Sequence, residues 1–408
     1  MGVSASRSAE VFTRFLRLGC TSFGGPVAHL GYFRREFVRA GWVDDAAFAE
    51  IVALCSILPG PTSSQVGIVL GARRAGPAGG LLALIAFATP SALALGAFGL
   101  FLRAASGADP AAFARGPRFA GALEGLAAAA AAVVAIAVVQ LARNVVRTRF
   151  EVAPALVAFG LALILDRFAP AFAWVALVAG GALGAAFGRA PATLPARAPA
   201  LAVSRGTAMI AGGVFVALLA GLPLVAPPGT YLDTFATFYR AGSLVFGGGH
   251  VVLPFLQSYI GSGVSERTFF AGYGAAQAMP GPLFTFAAFL GAAMRPLGGV
   301  IGALVALAGI FLPSFLLLAA VMPLWSALRQ LPRAAETLAG LNAAVAGLLA
   351  AVFVDPIATT LARDPVGIAL ALFALLTLAT LRFPAWLTVA ACALLGALIR
   401  SYALPSSL

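Results

Sequence analysis

Charge is what this sequence has least of. Only 10% of its 408 residues are charged, and lysine is absent: all 26 basic side chains are arginine. A soluble domain carries about 25% charged residues, so no water-facing surface can be assembled from this chain. Cysteine is scarce too. Cys20, Cys55 and Cys392 are odd in number and lack metal-site spacing, which excludes a disulfide framework and leaves small packing residues. Two histidines, His29 and His250, are too few for a histidine-rich metal centre. No Gly-rich stretch is followed by the lysine of a nucleotide-binding loop, so this chain encodes no ATP-driven pump. No nucleophile–histidine–acid pattern marks an enzyme, and no cofactor or metal is expected. A leader-peptide pattern is also missing, because Arg7, Glu10, Arg14 and Arg17 are scattered through the first apolar stretch. The amino-terminal region is therefore expected to stay in the mature protein.

What is present is apolar length. Hydrophobic residues make up 61% of the chain, and the mean hydropathy is +1.00. Pro77–Leu102, Leu126–Leu141 and Ala169–Gly188 contain no charge. About 20 apolar residues match the hydrocarbon thickness of a bilayer. The chain therefore reads as an all-α polytopic membrane protein with the lipid bilayer as its solvent. The net charge of +12 fits the cytoplasmic excess of arginine in membrane loops, not nucleic-acid binding.

The sequence repeats itself. Phe15-Leu16-Arg17-Leu18-Gly19 returns as Phe238-Tyr239-Arg240-Ala241-Gly242, and in the same register Phe23-Gly24-Gly25 returns as Phe246-Gly247-Gly248. Glu10 falls opposite Asp233. Pro59-Gly60-Pro61 matches Pro280-Gly281-Pro282, and Pro90-Ser91 matches Pro313-Ser314. The halves are residues 1–200 and 228–408, and residues 201–227 form one connecting transmembrane segment.

Each half has four long downstream segments, about 77–102, 118–141, 151–167 and 169–188, then 297–325, 334–354, 365–381 and 384–400. Upstream, residues 9–39 and 45–73 are broken at Gly24-Gly25-Pro26 and Pro59-Gly60-Pro61 into pieces too short to span. Two arrangements are open, a broken spanning helix or a re-entrant hairpin. Hairpins put Arg7, Arg14, Arg34, Arg35, Arg39, Arg73 and Arg74 on one face, which the positive-inside rule favours. Either way the connecting segment inverts the second half. Two inverted repeats joined by one helix are a recurrent plan for secondary transporters, with the site where the broken helices meet.

The candidate site residues follow from that plan. Arg17 and Arg240 stand eight residues before Gly25 and Gly248. Guanidinium presents fixed donors that suit an oxyanion, and an intramembrane charge is functional by default. Snorkelling, or pairing with Glu10 and Asp233, is the bland alternative. After each Pro-Gly-Pro break a new helix starts, at Thr62-Ser63 and near Thr285, and helix amino termini favour anions. Gly24, Gly25, Gly247 and Gly248 either form a second pair of breaks or serve tight packing. His250 reads as a polar helix-start residue or a relay. Glu50, Glu124 and Asp355 are candidates for a coupling proton.

At Phe23-Gly24-Gly25-Pro26, Trp42, Asp44, Asp45, Pro59-Gly60-Pro61 and their second copies, the sequence resembles the chromate ion transporter family in its long, two-domain form. The second half lacks the tryptophan and has Gly249-His250 where the first has Pro26-Val27. The resemblance covers nearly the whole chain. It implies export of chromate, with sulfate as the chemical look-alike, from a bacterial cytoplasm across the inner membrane; with the repeat plan, the leading expectation is a secondary active transporter working by alternating access. It maps Arg17, Arg240, Gly24, Gly25, Pro59, Gly60, Pro61, Gly247, Gly248, Pro280, Gly281 and Pro282 onto motif positions. A passive anion channel, a carrier of another oxyanion, and a homodimer stay open.

Overall fold

The computed structural model describes residues 2–105, 116–146, 148–168, 174–188, 203–246, 249–260, 263–328 and 330–403. Helix is the only regular structure among them. The connector at 189–202, Gly247, Gly248 and the His250 side chain lie outside the described residues.

Helix α1 (Gly2–Thr21) ends before Phe23. Gly24, at φ +103°, turns the chain into α2 (Gly25–Phe33), where Pro26 occupies a first-turn position that needs no N–H. A π-turn over Arg34–Val38 follows. Asp44 caps α3 (Asp45–Ile57) by accepting the Ala47 N–H at 2.7 Å. Beyond Pro59-Gly60-Pro61 runs α4 (Thr62–Ala105), which leaves helical geometry at Ala75 and Gly76. Its two arms fold back on each other: the Gly71 and Gly79 backbones meet with no room for a Cβ. Then come α5 (Pro117–Val145), α6 (Arg149–Phe168) and α7 (Trp174–Phe187). The connecting helix α8 (Arg205–Val225) starts on Ser204, which accepts the Thr207 N–H.

The second copy repeats this order. It comprises α9 (Tyr231–Leu244), α10 (Val252–Ile260), α11 (Glu266–Ala278), α12 (Phe286–Ala293) and α13 (Gly299–Leu328). Then α14 (Ala334–Val352) continues through a π-turn to Leu361, followed by α15 (Pro365–Leu375) and α16 (Ala385–Ala403). Gly291 meets Gly302 as Gly71 meets Gly79.

Six of the described helices are long and apolar enough to cross a bilayer. Large apolar side chains face outward from them; Leu224 is 85% exposed and Leu93 69%. Such a surface is stable only against lipid, so the chain is a multi-pass membrane protein. Small residues set the packing inside, as expected where lipid and side chains are equally apolar. The copies exchange their downstream helices. In the first copy α5 packs on α15 and α16 of the second, and α14 of the second packs on α6 and α7 of the first. The matching crossings use matching glycines: Gly125 against Cys392 and Gly121 against Gly396 on one side, Gly340 against Gly180 and Gly184 on the other.

Candidate functional site

The two Pro-Gly-Pro turns lie at the junction of the copies. Gly60 has φ +121° and Gly281 φ +95°, backbone that glycine alone adopts freely. Each donates its N–H across the junction, Gly60 to the Val245 carbonyl at 2.6 Å and Gly281 to the Ser22 carbonyl at 3.0 Å. Val245 and Ser22 are equivalent positions, each directly before its Phe-Gly-Gly. A Cβ on Gly60 would stand 2.9 Å from the Ser314 hydroxyl, and one on Gly281 would stand 2.9 Å from the Ser91 hydroxyl. Ser91 and Ser314 are again equivalent. The break of each copy is thus strapped to the break of the other by one reciprocal pair of contacts.

Polar groups gather around these straps. His29 is 1% exposed. Its Nε2 lies 3.1 Å from the Ser22 carbonyl and its Nδ1 3.3 Å from the Ser63 hydroxyl. Gln65 donates to the Pro59 carbonyl at 2.7 Å. Thr285 turns its hydroxyl back to Pro282 at 2.7 Å. The hydroxyls of Ser22, Ser64 and Ser314 are buried and have no protein partner. Three buried hydroxyls left unpaired cost about 1–3 kcal/mol each unless something accepts from them. Ser314 lies against Gly60 of one strap, Ser22 belongs to the other strap, and Ser64 follows Ser63 in the first turn of α4. Pro61, Gly281 and Pro282 are buried beside them, Thr62 is half-buried at the start of α4, and Pro59 and Pro280 are half-buried. Gly24 is exposed and Gly25 half-buried at the start of α2.

The arginines lie elsewhere. Arg17 and Arg14 both reach the Glu36 carboxylate, at 3.2 and 2.6 Å. The Arg17 side chain is 71% exposed in a cleft of about 630 Å³ lined by Arg14, Arg17, Tyr32, Arg35, Glu36 and Arg39. Arg240 lies 4.5 Å over the Tyr259 ring. Glu10 pairs with Arg14 and with Arg74 and accepts from Trp42, while Asp233 accepts the Gly229 N–H. Burial by itself would raise the Glu10 carboxyl, but hydrogen bonds from Arg74 and Trp42, with the Arg74 and Arg14 charges, hold it below its ordinary range. Of the coupling candidates, Glu124 is tied to Arg267 and Arg400 at 2.9 and 2.7 Å. Asp355 is exposed and accepts from Thr359, and Glu50 is half-buried on α3.

Sequence reasoning did not single out Ser22 or Glu36. Ser22 acts through its backbone carbonyl, which has no side-chain signature. Glu36 was legible only as one acid among Arg34, Arg35 and Arg39. The pairing of Ser91 with Ser314 was visible in the repeat.

The chromate transporter family model matches residues 9–185 and 232–397, one block in each copy. This chain belongs to the chromate transporter family. It is 30% identical to the chromate transport protein of Pseudomonas aeruginosa over 87% of this chain and 82% of that protein. It is 29% identical to the chromate transport protein of Cupriavidus metallidurans, over 90% and 86%. An uncharacterized transporter of Methanocaldococcus jannaschii is 27% identical over 79% and 77%. No solved structure matches the chain. Family membership makes it a membrane transport protein.

Proposed function

We propose that this chromate transporter family member is a secondary active carrier that exports chromate, or a sulfate-like tetrahedral oxyanion, from a bacterial cytoplasm by alternating access. The observation that carries the reading is the reciprocal strap. Gly60 to Val245 and Gly281 to Ser22 join equivalent points of the two copies, the relation a two-fold axis between repeats produces. The anion sits at the breaks, where the unpaired hydroxyls of Ser22, Ser64 and Ser314 and the start of α4 supply neutral donors. Arg17 and Arg240, one per copy, supply positive charge along the path, with Arg17 collecting anions in the basic cleft.

The charged ends of the helices support the inverted, re-entrant arrangement. Glu10, Arg14, Glu36 and Arg74 form one ion-pair network. It joins the middle of α1, the turn after α2 and the kink at the end of the first arm of α4. This network supports a reading in which both pairs leave and return on one face. The outer arm of α4 carries the chain from Arg74 to Arg103, roughly 40 Å at about 1.5 Å per residue. There Arg103 donates to the Met294 and Pro296 carbonyls, at the matching end of the second copy's pairs. The two sets of flanks thus fall on opposite faces, the first rich in arginine and the second poor.

The test is radiolabelled chromate uptake into everted membrane vesicles, with and without a proton gradient and with sulfate as competitor. Saturable uptake that collapses when an uncoupler removes the membrane potential together with the pH gradient, and that falls in Arg17→Ala, is expected. Uptake no greater than in empty vesicles, with the protein present, removes chromate as substrate. Channel-like currents without counter-substrate stimulation remove the carrier mechanism.

A further inference from the structure

His29 is a buried, titratable side chain in direct contact with the strap. Carbonyl oxygens only accept, so the bond to Ser22 requires a proton on Nε2. The neutral ring then has a lone pair on Nδ1, which accepts the Ser63 hydroxyl. The Ser22 carbonyl also receives the Gly281 N–H of the second copy. One imidazole therefore touches the first residues after one Pro-Gly-Pro turn and shares an acceptor with the other. The equivalent position in the second copy is Val252, buried and apolar. Among the described side chains, the titratable link exists on one strap only.

Burial favours the neutral ring, and no side-chain counter-charge among the described residues offsets it. The first arm of α4 contributes Ser63 and the second arm the Phe87 edge, with ring centroids 5.3 Å apart. Arg73 and Arg74 lie at the turn between the arms, Arg74 held by Glu10. Helix α1 contributes Ser22 and, further back, Cys20 and Arg17, the latter paired with Glu36. On its own element the nearest charges are Arg34, Arg35 and Glu36, beyond the end of α2. The second copy contributes the Gly281 amide. None of these charges contacts the ring among the described residues.

We propose that His29 binds the proton that travels with the oxyanion, so that anion and proton load together at the strap. This rests on the transporter reading and adds the coupling step. A dianion at the breaks meets neutral donors, and burying two negative charges without compensation is costly. A proton arriving on Nδ1 makes the ring a cation. It also turns Nδ1 from acceptor into donor, so the Ser63 hydroxyl becomes free to donate to the anion. No covalent bond other than N–H forms or breaks, and the proton leaves Nδ1 when the anion leaves. By linkage, the anion must raise proton affinity as much as the proton raises anion affinity. A dianion leaving with one proton still moves net negative charge outward, which an inside-negative potential favours.

The experiment adds sodium chromate to the purified protein in weakly buffered detergent at alkaline pH, where free chromate is the dianion, and follows medium pH and binding together. One proton taken up per anion bound is expected. His29→Gln, whose amide can still donate to the Ser22 carbonyl but carries no charge, and His29→Arg, charged throughout, are each expected to lose that uptake and the pH dependence of affinity. Chromate binding by the wild type without proton uptake overturns the proposal and leaves the transporter reading intact. So does undiminished uptake in either variant. Loss of binding in both variants, with the proteins monodisperse, gives His29 a structural role and also overturns it. A wild-type protein that binds no chromate removes the underlying reading instead.

Discussion

Gly60 and Gly281 hold backbone angles that side chains rarely adopt, and each sits against a serine of the other copy. Strain of this kind costs about 1–3 kcal/mol. Gly60→Ala and Gly281→Ala are each expected to lower chromate uptake about tenfold or more, with a drop in melting temperature read by size-exclusion after heating. Equal uptake in either variant would show that the strap does not govern transport. Glu36 supports a second expectation. Its carboxylate occupies Arg14 and Arg17 where an anion would bind. Glu36→Gln should lower the KM for chromate several-fold at low ionic strength, and the gain should fade with salt, as screening of an open cleft requires. An unchanged or raised KM would separate the cleft from substrate access. At this scale the glycines and prolines of the breaks were readable because each is chemically distinctive, whereas the exposed cleft that holds Arg17 against Glu36 was not. The carbonyls of Ser22 and Val245 were not, because every residue has one.

Among the elements, the short helices depend on their charged rim. Glu10 joins Arg14, Arg74 and Trp42 midway along α1, with Arg14 and Arg74 also 5.8 and 5.4 Å from the Trp42 ring. The Glu10 carboxyl titrates below its ordinary value of 4.5 in the folded protein. A lowered folded value means the ionised form is favoured by folding. This contribution is complete above the unfolded value and is lost as pH falls through the folded one. Glu10→Gln should therefore cost about 1 kcal/mol near neutral pH, in the range for partly exposed pairs. The difference from wild type should vanish in acid. Melting curves of both proteins across that range check it, and a constant gap down to acid would contradict the linkage. The segment ends needed little from the structure: the arginines and Pro-Gly-Pro turns already bounded α3, both arms of α4, and α11 to α13. The exchange of downstream helices was hidden. A glycine such as Gly125 signals close approach, but not that its neighbour is Cys392 of the other copy.

At the level of the whole molecule, the two faces are the point on which the transporter reading turns. The repeat and the family were legible in the chain, and of the nine apolar segments read from it six form helices long and apolar enough to cross a bilayer, while its orientation rested on arginine counts alone. The ion-pair network of Glu10, Glu36 and Arg74 and the contacts of Arg103 with Met294 and Pro296 sit at opposite ends of one arm of α4. A residue beside each makes the orientation measurable. Arg39 lines the basic cleft, and Glu266 is exposed at the start of α11. In a background with the exposed Cys20 replaced by serine, Cys55 and Cys392 stay buried and silent. A membrane-impermeant maleimide should then label Glu266→Cys in intact cells and Arg39→Cys only in everted vesicles. If both label from the same side, the copies are parallel, and alternating access by rocking of one repeat against its inverted twin no longer follows. If they label from opposite sides, chromate collected at Arg17 starts on the cytoplasmic face, and the straps at Gly60 and Gly281 lie between it and the exit.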